Sequence, residues 1–440
     1  MLSKQDNEIM TQVGPGTLLG DLMRQYWMPA LISTEVPQPD SPPVRLRLLG
    51  EDMIAFRTTS GTVGVVANAC PHRGASLFFG RNEEDGLRCV YHGWKFDVTG
   101  ACVDMPSEPA ESNFKSKVRV KAYPTSERNG IVWLYMGPRE TPPPLPGIEP
   151  NLEEGATIQK FLRDCSWLQG FEGDLDTTHI GFLHFGAYEA DEVEPKSMDY
   201  YTLKRRDPKM MVVDRPWGAT YGSYRPAEDD TTYWRVAQYL FPFYAMPPVG
   251  VLGARRAVLA IVPVDDTHMM RWQISIPNRW ASAGVIRPAY EMHPEYGYQP
   301  ETSGFLGKWR MNQNRHNDYL LDRDLQKNGK SYTGILGIGI QDEAVTESMG
   351  PINDRTKEHL GTSDLMVIRL RSLLIKAAKA LRDHGEVPGG VDNPEVYAVR
   401  SGGVVLPNGI NGVESTLDLQ QGRVAPEDFA DSIKVPNHGV

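Results

Sequence analysis

The segments ACPHRGA (69–75) and CVYHGW (89–94) put Cys70 and His72 in one short stretch and Cys89 and His92 in the next. Written out, the pattern is C-x-H, sixteen residues, then C-x-x-H. Each stretch mixes one thiolate with one imidazole. That suits a [2Fe–2S] centre with Cys70 and Cys89 on one iron and His72 and His92 on the other. Replacing two thiolates by neutral imidazoles reduces the negative charge of such a cluster and raises its potential. Tetrahedral zinc also accepts two sulfurs and two nitrogens, but zinc loops usually pair like ligands, as C-x2–4-C and H-x3–5-H.

The chain has 440 residues, enough for two or three domain-sized units that each bury a core. Its net charge of −10 argues against nucleic acid, whose binders concentrate positive charge. Of four cysteines, Cys102 and Cys165 lie outside the motif, too few for a disulfide framework and in keeping with a reducing compartment. The stretch MLSKQDNEIM (1–10) has no apolar core, so a signal peptide is not expected. No run of about 18 apolar residues occurs, so no membrane span is expected either. The expected location is cytoplasmic.

Thr17–Leu31 reads as a short amphipathic helix broken by Pro29. VRLRLLG (44–50), DMIAFRT (52–58) and TVGVVA (62–67) follow as strands separated by turn residues, and GIVWLYMG (130–137) reads as a closing strand. Six prolines between Pro138 and Pro150 make a stiff connector and a domain boundary. Beyond it, 165–184 has a helical pattern, and 233–245, 255–265 and 269–277 are strand-like. Leu365–Leu381 has apolar residues at helical spacing, with an N-cap at Thr362–Asp364 and a stop at Gly385. Strands wrapped by helices make an α+β domain.

A second metal motif lies at Asp176, His179 and His184, in D-x-x-H-x-x-x-x-H order. Histidines five apart share a metal only if the helix loosens or ends between them, and Gly181 sits there. Two imidazoles and one carboxylate form a facial triad that leaves metal positions open for O2 and substrate. The carboxylate must come from further along, and IQDEAVTESMG (340–350) offers Asp342 and Glu343, which spacing alone does not separate. On a helix, Asp342 shares a face with Val345, Thr346 and Met349, and Glu343 with Glu347. Asp176, one turn before His179, is placed to accept a hydrogen bond from that ring's second nitrogen.

On these two motifs nearly the whole chain resembles the catalytic (α) subunits of Rieske non-haem iron oxygenases. Respiratory Rieske proteins resemble it less, because their extra cysteine pair is replaced here by Gly74, Ala75, Val90 and Tyr91. The stretch around IQDEAVTESMGPINDRTKEHLGTSD is similar to the phthalate 4,5-dioxygenase branch, which also contains aryl O-demethylases. The resemblance implies an α+β chain in three parts: an N-terminal helical segment (1–40) packing on the catalytic domain, an all-β Rieske [2Fe–2S] domain (41–150), and a helix-grip catalytic domain (151–440) carrying mononuclear Fe(II). It implies Asp342 as third iron ligand and O2 as cosubstrate. It further implies an NADH-dependent reductase, with flavin and plant-type ferredoxin, as electron donor. Finally, it implies a homotrimer or stacked hexamer in which Asp176 bridges His179 to His92 of the neighbouring subunit.

The expected reaction is dihydroxylation of a phthalate-like aromatic carboxylate. O-demethylation of a methoxylated, lignin-type acid is the alternative, and a pure Rieske electron carrier is the rival from another class. A carboxylate substrate needs a cation, preferably an arginine fork. Arg205, Arg206, Arg225, Arg235, Arg255 and Arg256 are candidates, and Tyr221, Tyr224, Tyr239, Phe241, Phe243 and Tyr244 could line a ring pocket. Arg73, Arg81, Arg88 and Lys95 form a basic group around the cluster segments that could meet a reductase.

Overall fold

The computed structural model describes residues 2–109, 111–276, 297–329 and 331–426. Helices α1 (Lys4–Thr11) and α2 (Leu18–Met23) open the chain, and both pack against the long C-terminal helix described below. The helix expected over Thr17–Leu31 is therefore too long. After Met23 the chain turns and runs on as strand β1 (Trp27–Ile32), antiparallel to Ile131–Tyr135. WMPALI is a continuous apolar run with a partner to pair with. Pro29, which lacks an N–H, is tolerated because β1 has a single neighbour and a register shift beside the proline.

The cluster-bearing part is built from short antiparallel strands. β2 (Val44–Leu48), β3 (Glu51–Arg57) and β4 (Val63–Ala67) form a sheet closed by β9 (Ala122–Tyr123). β5 (Arg81–Glu83), β6 (Gly86–Arg88), β7 (Lys95–Phe96) and β8 (Cys102–Asp104) form a second. The closing strand 130–137 instead joins a third sheet, where β11 (Ile131–Tyr135) lies between β1 and β10 (Thr125–Arg128). A separate small core of Ile54, Phe56, Leu77, Leu87, Trp94 and Phe96 surrounds Cys70 and Cys89.

After the proline connector and a short helix α3 (Glu149–Leu152), the catalytic part is one antiparallel sheet with helices on it. Its strand path is β12 (Thr157–Arg163), β18 (His268–Ser275), β17 (Ala257–Asp265), β16 (Tyr244–Met246), β15 (Thr231–Leu240), β14 (Gly218–Pro226) and β13 (Lys209–Arg215). β19 (Gly402–Pro407) pairs with β15 off this path. Helix α4 (Trp167–Leu175) crosses β16–β18, and α5 (Met198–Lys204) follows the metal motif. α6 (Arg323–Lys327) and α7 (Ile338–Ser348) come next, and α8 (Leu365–His384) ends at Gly385 in the left-handed region. α7 and α8 both pack on α4. Among the described residues no helix is long and apolar enough to cross a membrane.

A buried ion pair pins the N-terminal segment to this sheet. Lys160 on β12 donates to Glu35, just past β1, and both side chains are nearly inaccessible. Trp309 Nε1 also donates to Glu35, and the Lys160 ammonium lies 4.5 Å from the Trp272 ring centre.

Candidate metal centres and cavity

The two cysteine–histidine segments repeat one backbone design. Cys70 N donates to Ala75 O and Gly74 N to Cys70 O, while Cys89 N donates to Trp94 O and Gly93 N to Cys89 O. Gly74 and Gly93 hold φ of 77° and 78°, the left-handed turn that glycine allows. The paired turns bring the four side chains together. Cys70 and Cys89 are buried and free, with Cys89 facing the Cys70 thiol. Burial pushes the Cys70 thiol up to about 11, so a bound cation is what would draw off its proton. The His72 and His92 rings are 4.4 Å apart, His72 stacks on Trp94, and the buried Nδ1 of His92 has no partner among the described residues. Two facing thiols and two adjacent imidazoles, one with an orphaned nitrogen, fit a mixed-ligand [2Fe–2S] cluster.

The second centre forms where α4 stops. Asp176 caps its C-terminus, and the short side chains of Asp-Thr-Thr draw the backbone out of the helix. Asp176 Oδ1 accepts from Thr178 N at 2.7 Å and Thr178 Oγ1 at 2.6 Å, and Oδ2 from His179 N at 3.3 Å. A single 3-10 turn (His179–Gly181) follows, and Arg206 clamps it by donating to Gly181 O and Tyr188 O. The helix expected through 165–184 thus ends before His179, not between the histidines. α4 itself is held by Glu172, which accepts from buried Arg355 and Arg371.

His179 and His184 then converge with Asp342 of α7. The two Nε2 atoms are 3.2 Å apart, and Asp342 Oδ1 lies 3.2 Å from His184 Nε2 and 3.6 Å from His179 Nε2. Ligands about 2.1 Å from one metal at right angles stand about 3.0 Å apart. The spacing fits a single ion held on one face, and this is the one such group found among the described residues. Burial alone would raise the Asp342 carboxyl, but His184 and His179 outweigh it and hold it at about 2. Glu343, the adjacent acid, points away into a buried region near Arg163 and is raised by burial. Asp176 Oδ2 faces His179 Nδ1 at 3.4 Å. Burial works to raise Asp176, but its bonds to His179 and Thr178 keep it low.

A cavity of about 180 Å³ opens beside the triad. Its apolar walls include Ile180, Phe185, Met198, Val249, Leu259 and Ile338, and its cations are Arg235, Arg255 and Arg271. Arg271 is paired with Asp174. Arg235 is 1% exposed and donates Nε to Thr177, while Nη1 and Nη2 have no partner among the described residues. Burial and the nearby Arg271 lower Arg255 to about 10, and it has no ion-pair partner among the described residues.

Other sequence candidates fall elsewhere. Arg225 donates to Thr202 O and Arg205 O at the end of α5, Arg256 pairs with Glu153, and Tyr221 is core. None of these three lines the cavity, unlike Arg235 and Arg255. Side does not separate Tyr221 and Arg225 from Arg235, because Ser223 between them pairs with Arg235 and all three share one sheet face; their place along the strands does. Arg205 is taken by Asp207. Tyr224 stacks on Trp234 and Tyr239 packs on Phe171, as core does. The basic group around the cluster is largely neutralised: Arg81 and Arg88 by Glu83, Arg88 also by Asp104, and Lys95 by Glu84, which leaves Arg73. Sequence reading missed Gln341, whose Oε1 is 2.7 Å from His184 Nδ1; a glutamine carries no metal-site signature.

Residues 26–124 match the Rieske [2Fe-2S] domain family, and 134–410 match the family described as LigXa C-terminal domain like. The chain is 45% identical to the 3-chlorobenzoate-3,4-dioxygenase oxygenase subunit of Comamonas testosteroni, over 93% of this chain and 97% of that one. It is 37% identical to the phthalate 4,5-dioxygenase oxygenase subunit of Pseudomonas putida, over 87% of each. In fold it is similar to the crystal structure of dicamba monooxygenase bound to dicamba, with a TM-score of 0.55 at 15% identity, over 82% of this chain and 98% of that one. With two matched domains and full-length relatives, the chain belongs to the Rieske non-haem iron oxygenases, as a terminal oxygenase subunit.

Proposed function

We propose that this oxygenase dihydroxylates a single-ring aromatic carboxylate. The observation that carries the reading is the pair Arg235, buried, and Arg255, half-buried, beside the triad, neither with a carboxylate partner among the described residues. An uncompensated buried guanidinium is costly, and an incoming carboxylate relieves that cost through charge-assisted hydrogen bonds. The apolar walls take the ring. A cavity of about 150 Å³ in another protein admits benzene, so about 180 Å³ suits one substituted ring. Similarity to a chlorobenzoate dioxygenase subunit supports the same substrate class.

In this reading Cys70, Cys89, His72 and His92 hold the cluster, and His179, His184 and Asp342 hold Fe(II). These groups supply electrons and an O2-binding metal face. Arg235 and Arg255 orient the acid, while Ile180, Phe185, Leu259 and Ile338 fix the ring against the triad and exclude water. Asp176 keeps His179 oriented through its Nδ1.

The subunits are proposed to meet head to tail as a trimer, with the cluster face on the Asp176 side of a neighbour. Exposed apolar side chains flank both places: Val90, Tyr91 and Phe114 on one, Val345, Met349 and Leu365 on the other. An NADH-dependent reductase is the proposed electron source.

The test compares an aromatic acid with its methyl ester as substrates. A carboxylate-reading site loses at least about tenfold in kcat/KM on the ester, the worth of one charge-assisted bond. Equal turnover would sink the reading.

A further inference from the structure

We infer that Gln341 is a positioning residue for the triad. Its side-chain carbonyl holds His184 as the tautomer with the proton on Nδ1, leaving the Nε2 lone pair for the metal. The inference rests on His179, His184 and Asp342 being the metal site.

Gln341 is 4% exposed and His184 7%, and Oε1 of the one lies 2.7 Å from Nδ1 of the other. A glutamine side chain has an accepting end and a donating end. The far side decides which end faces the ring. Gln341 Nε2 donates to Ile335 O at 2.8 Å. Turning the amide over would set its carbonyl against that of Ile335 in a buried place, leaving two acceptors facing each other. The acceptor therefore faces Nδ1, and Nδ1 carries the proton. Ile335 is fixed in turn: Thr333 Oγ1 also donates to its carbonyl, at 3.2 Å. Gly337, at φ +90°, then turns the chain into α7. One residue further along α7, Asp342 enters the triad, so the same helix supplies a ligand and the group that orients another.

The two histidines are served differently. His179, with its side chain 22% exposed, has a carboxylate partner, Asp176, at 3.4 Å. His184, with its side chain 5% exposed, has a neutral amide at a shorter distance. A carboxylate partner adds basicity to an imidazole, whereas an amide fixes its orientation without adding charge.

The test uses full-length, cluster-loaded protein and measures Fe(II) affinity by equilibrium dialysis against a chelator, with the cluster spectrum and melting temperature as controls. Gln341→Leu removes the acceptor at similar volume and should weaken Fe(II) binding 10- to 100-fold, the usual loss for an outer partner of a ligating histidine. Gln341→Glu keeps an acceptor, and a protonated carboxyl can still donate to Ile335; its affinity should stay within about threefold of the parent. Should Gln341→Leu fail to fold, Gln341→Asn withdraws the acceptor and carries the same expectation. Parent-like affinity in Gln341→Leu, or equal losses in Glu and Leu variants of unchanged melting temperature, would overturn the inference. A parent protein binding no iron beyond the cluster would overturn the triad reading instead.

Discussion

Asp342 Oδ1 stands 3.2 Å from His184 Nε2, yet strands β13 to β18 of the catalytic sheet lie between the two residues in chain order. Helix α4 and the turn after it deliver the histidines, and α7, packed on α4, delivers the acid. Asp342→Ala should therefore leave two histidines that cannot retain iron. Metal analysis should fall from about three irons per chain to about two, with the visible cluster spectrum unchanged. Loss of the cluster spectrum together with the third iron would mean that the variant has misfolded.

Asp176 makes a different kind of contribution. It touches His179 through Nδ1 and bonds Thr178, without reaching the metal-facing nitrogen. Asp176→Asn should keep both metals and slow product formation in a single turnover about 10- to 100-fold. Parent-like single-turnover rates would remove Asp176 from any role beyond capping α4.

Arg255 is a cavity cation with no ion-pair partner among the described residues. Arg255→Gln should raise KM for an aromatic acid by roughly 10- to 100-fold, from a lost charge-assisted bond of about 1.5–3 kcal/mol, and leave iron content unchanged. The Arg225 guanidinium is spent on Thr202 O and Arg205 O and does not line the cavity, so Arg225→Gln should not change KM. A KM that rises in the second variant and not in the first would reverse the assignment.

How much of this was legible beforehand depends on the range of the signal. The cysteine–histidine pairs could be read because each sits in one tight turn, where spacing and geometry coincide. His179 and His184 were legible for the same reason, although the helix end was misplaced. There the local hydrogen bonds of Asp176 and Thr178 overrode an apolar periodicity that continues to His184. Trp27–Ile32 reads as helix locally and becomes strand only because Ile131–Tyr135 pairs with it, a contact invisible to a window of neighbours. Arg225, Arg235, Arg255 and Arg256 look alike in sequence, and only the folded chain shows that Arg235 and Arg255 line the cavity while Arg225 and Arg256 are spent on other partners.

The N-terminal segment offers a stability test. Lys160 is fully buried and its ion-pair partner is Glu35. Glu35→Gln leaves that ammonium buried without its counter-charge, at a cost of about 3–5 kcal/mol. Chemical denaturation followed by tryptophan fluorescence should show the drop in midpoint. An unchanged midpoint would mean that water reaches Lys160.

The most direct measurement is turnover of the iron-loaded protein with a compatible reductase and NADH. It would be run on single-ring aromatic acids with and without methoxy groups, following O2 uptake, formaldehyde and product mass. A ring acid gaining both oxygen atoms, one O2 consumed per NADH and no formaldehyde, is the expected result. Formaldehyde with a freed phenol from the methoxylated acids, and no diol from the others, would contradict it and make the enzyme a demethylase.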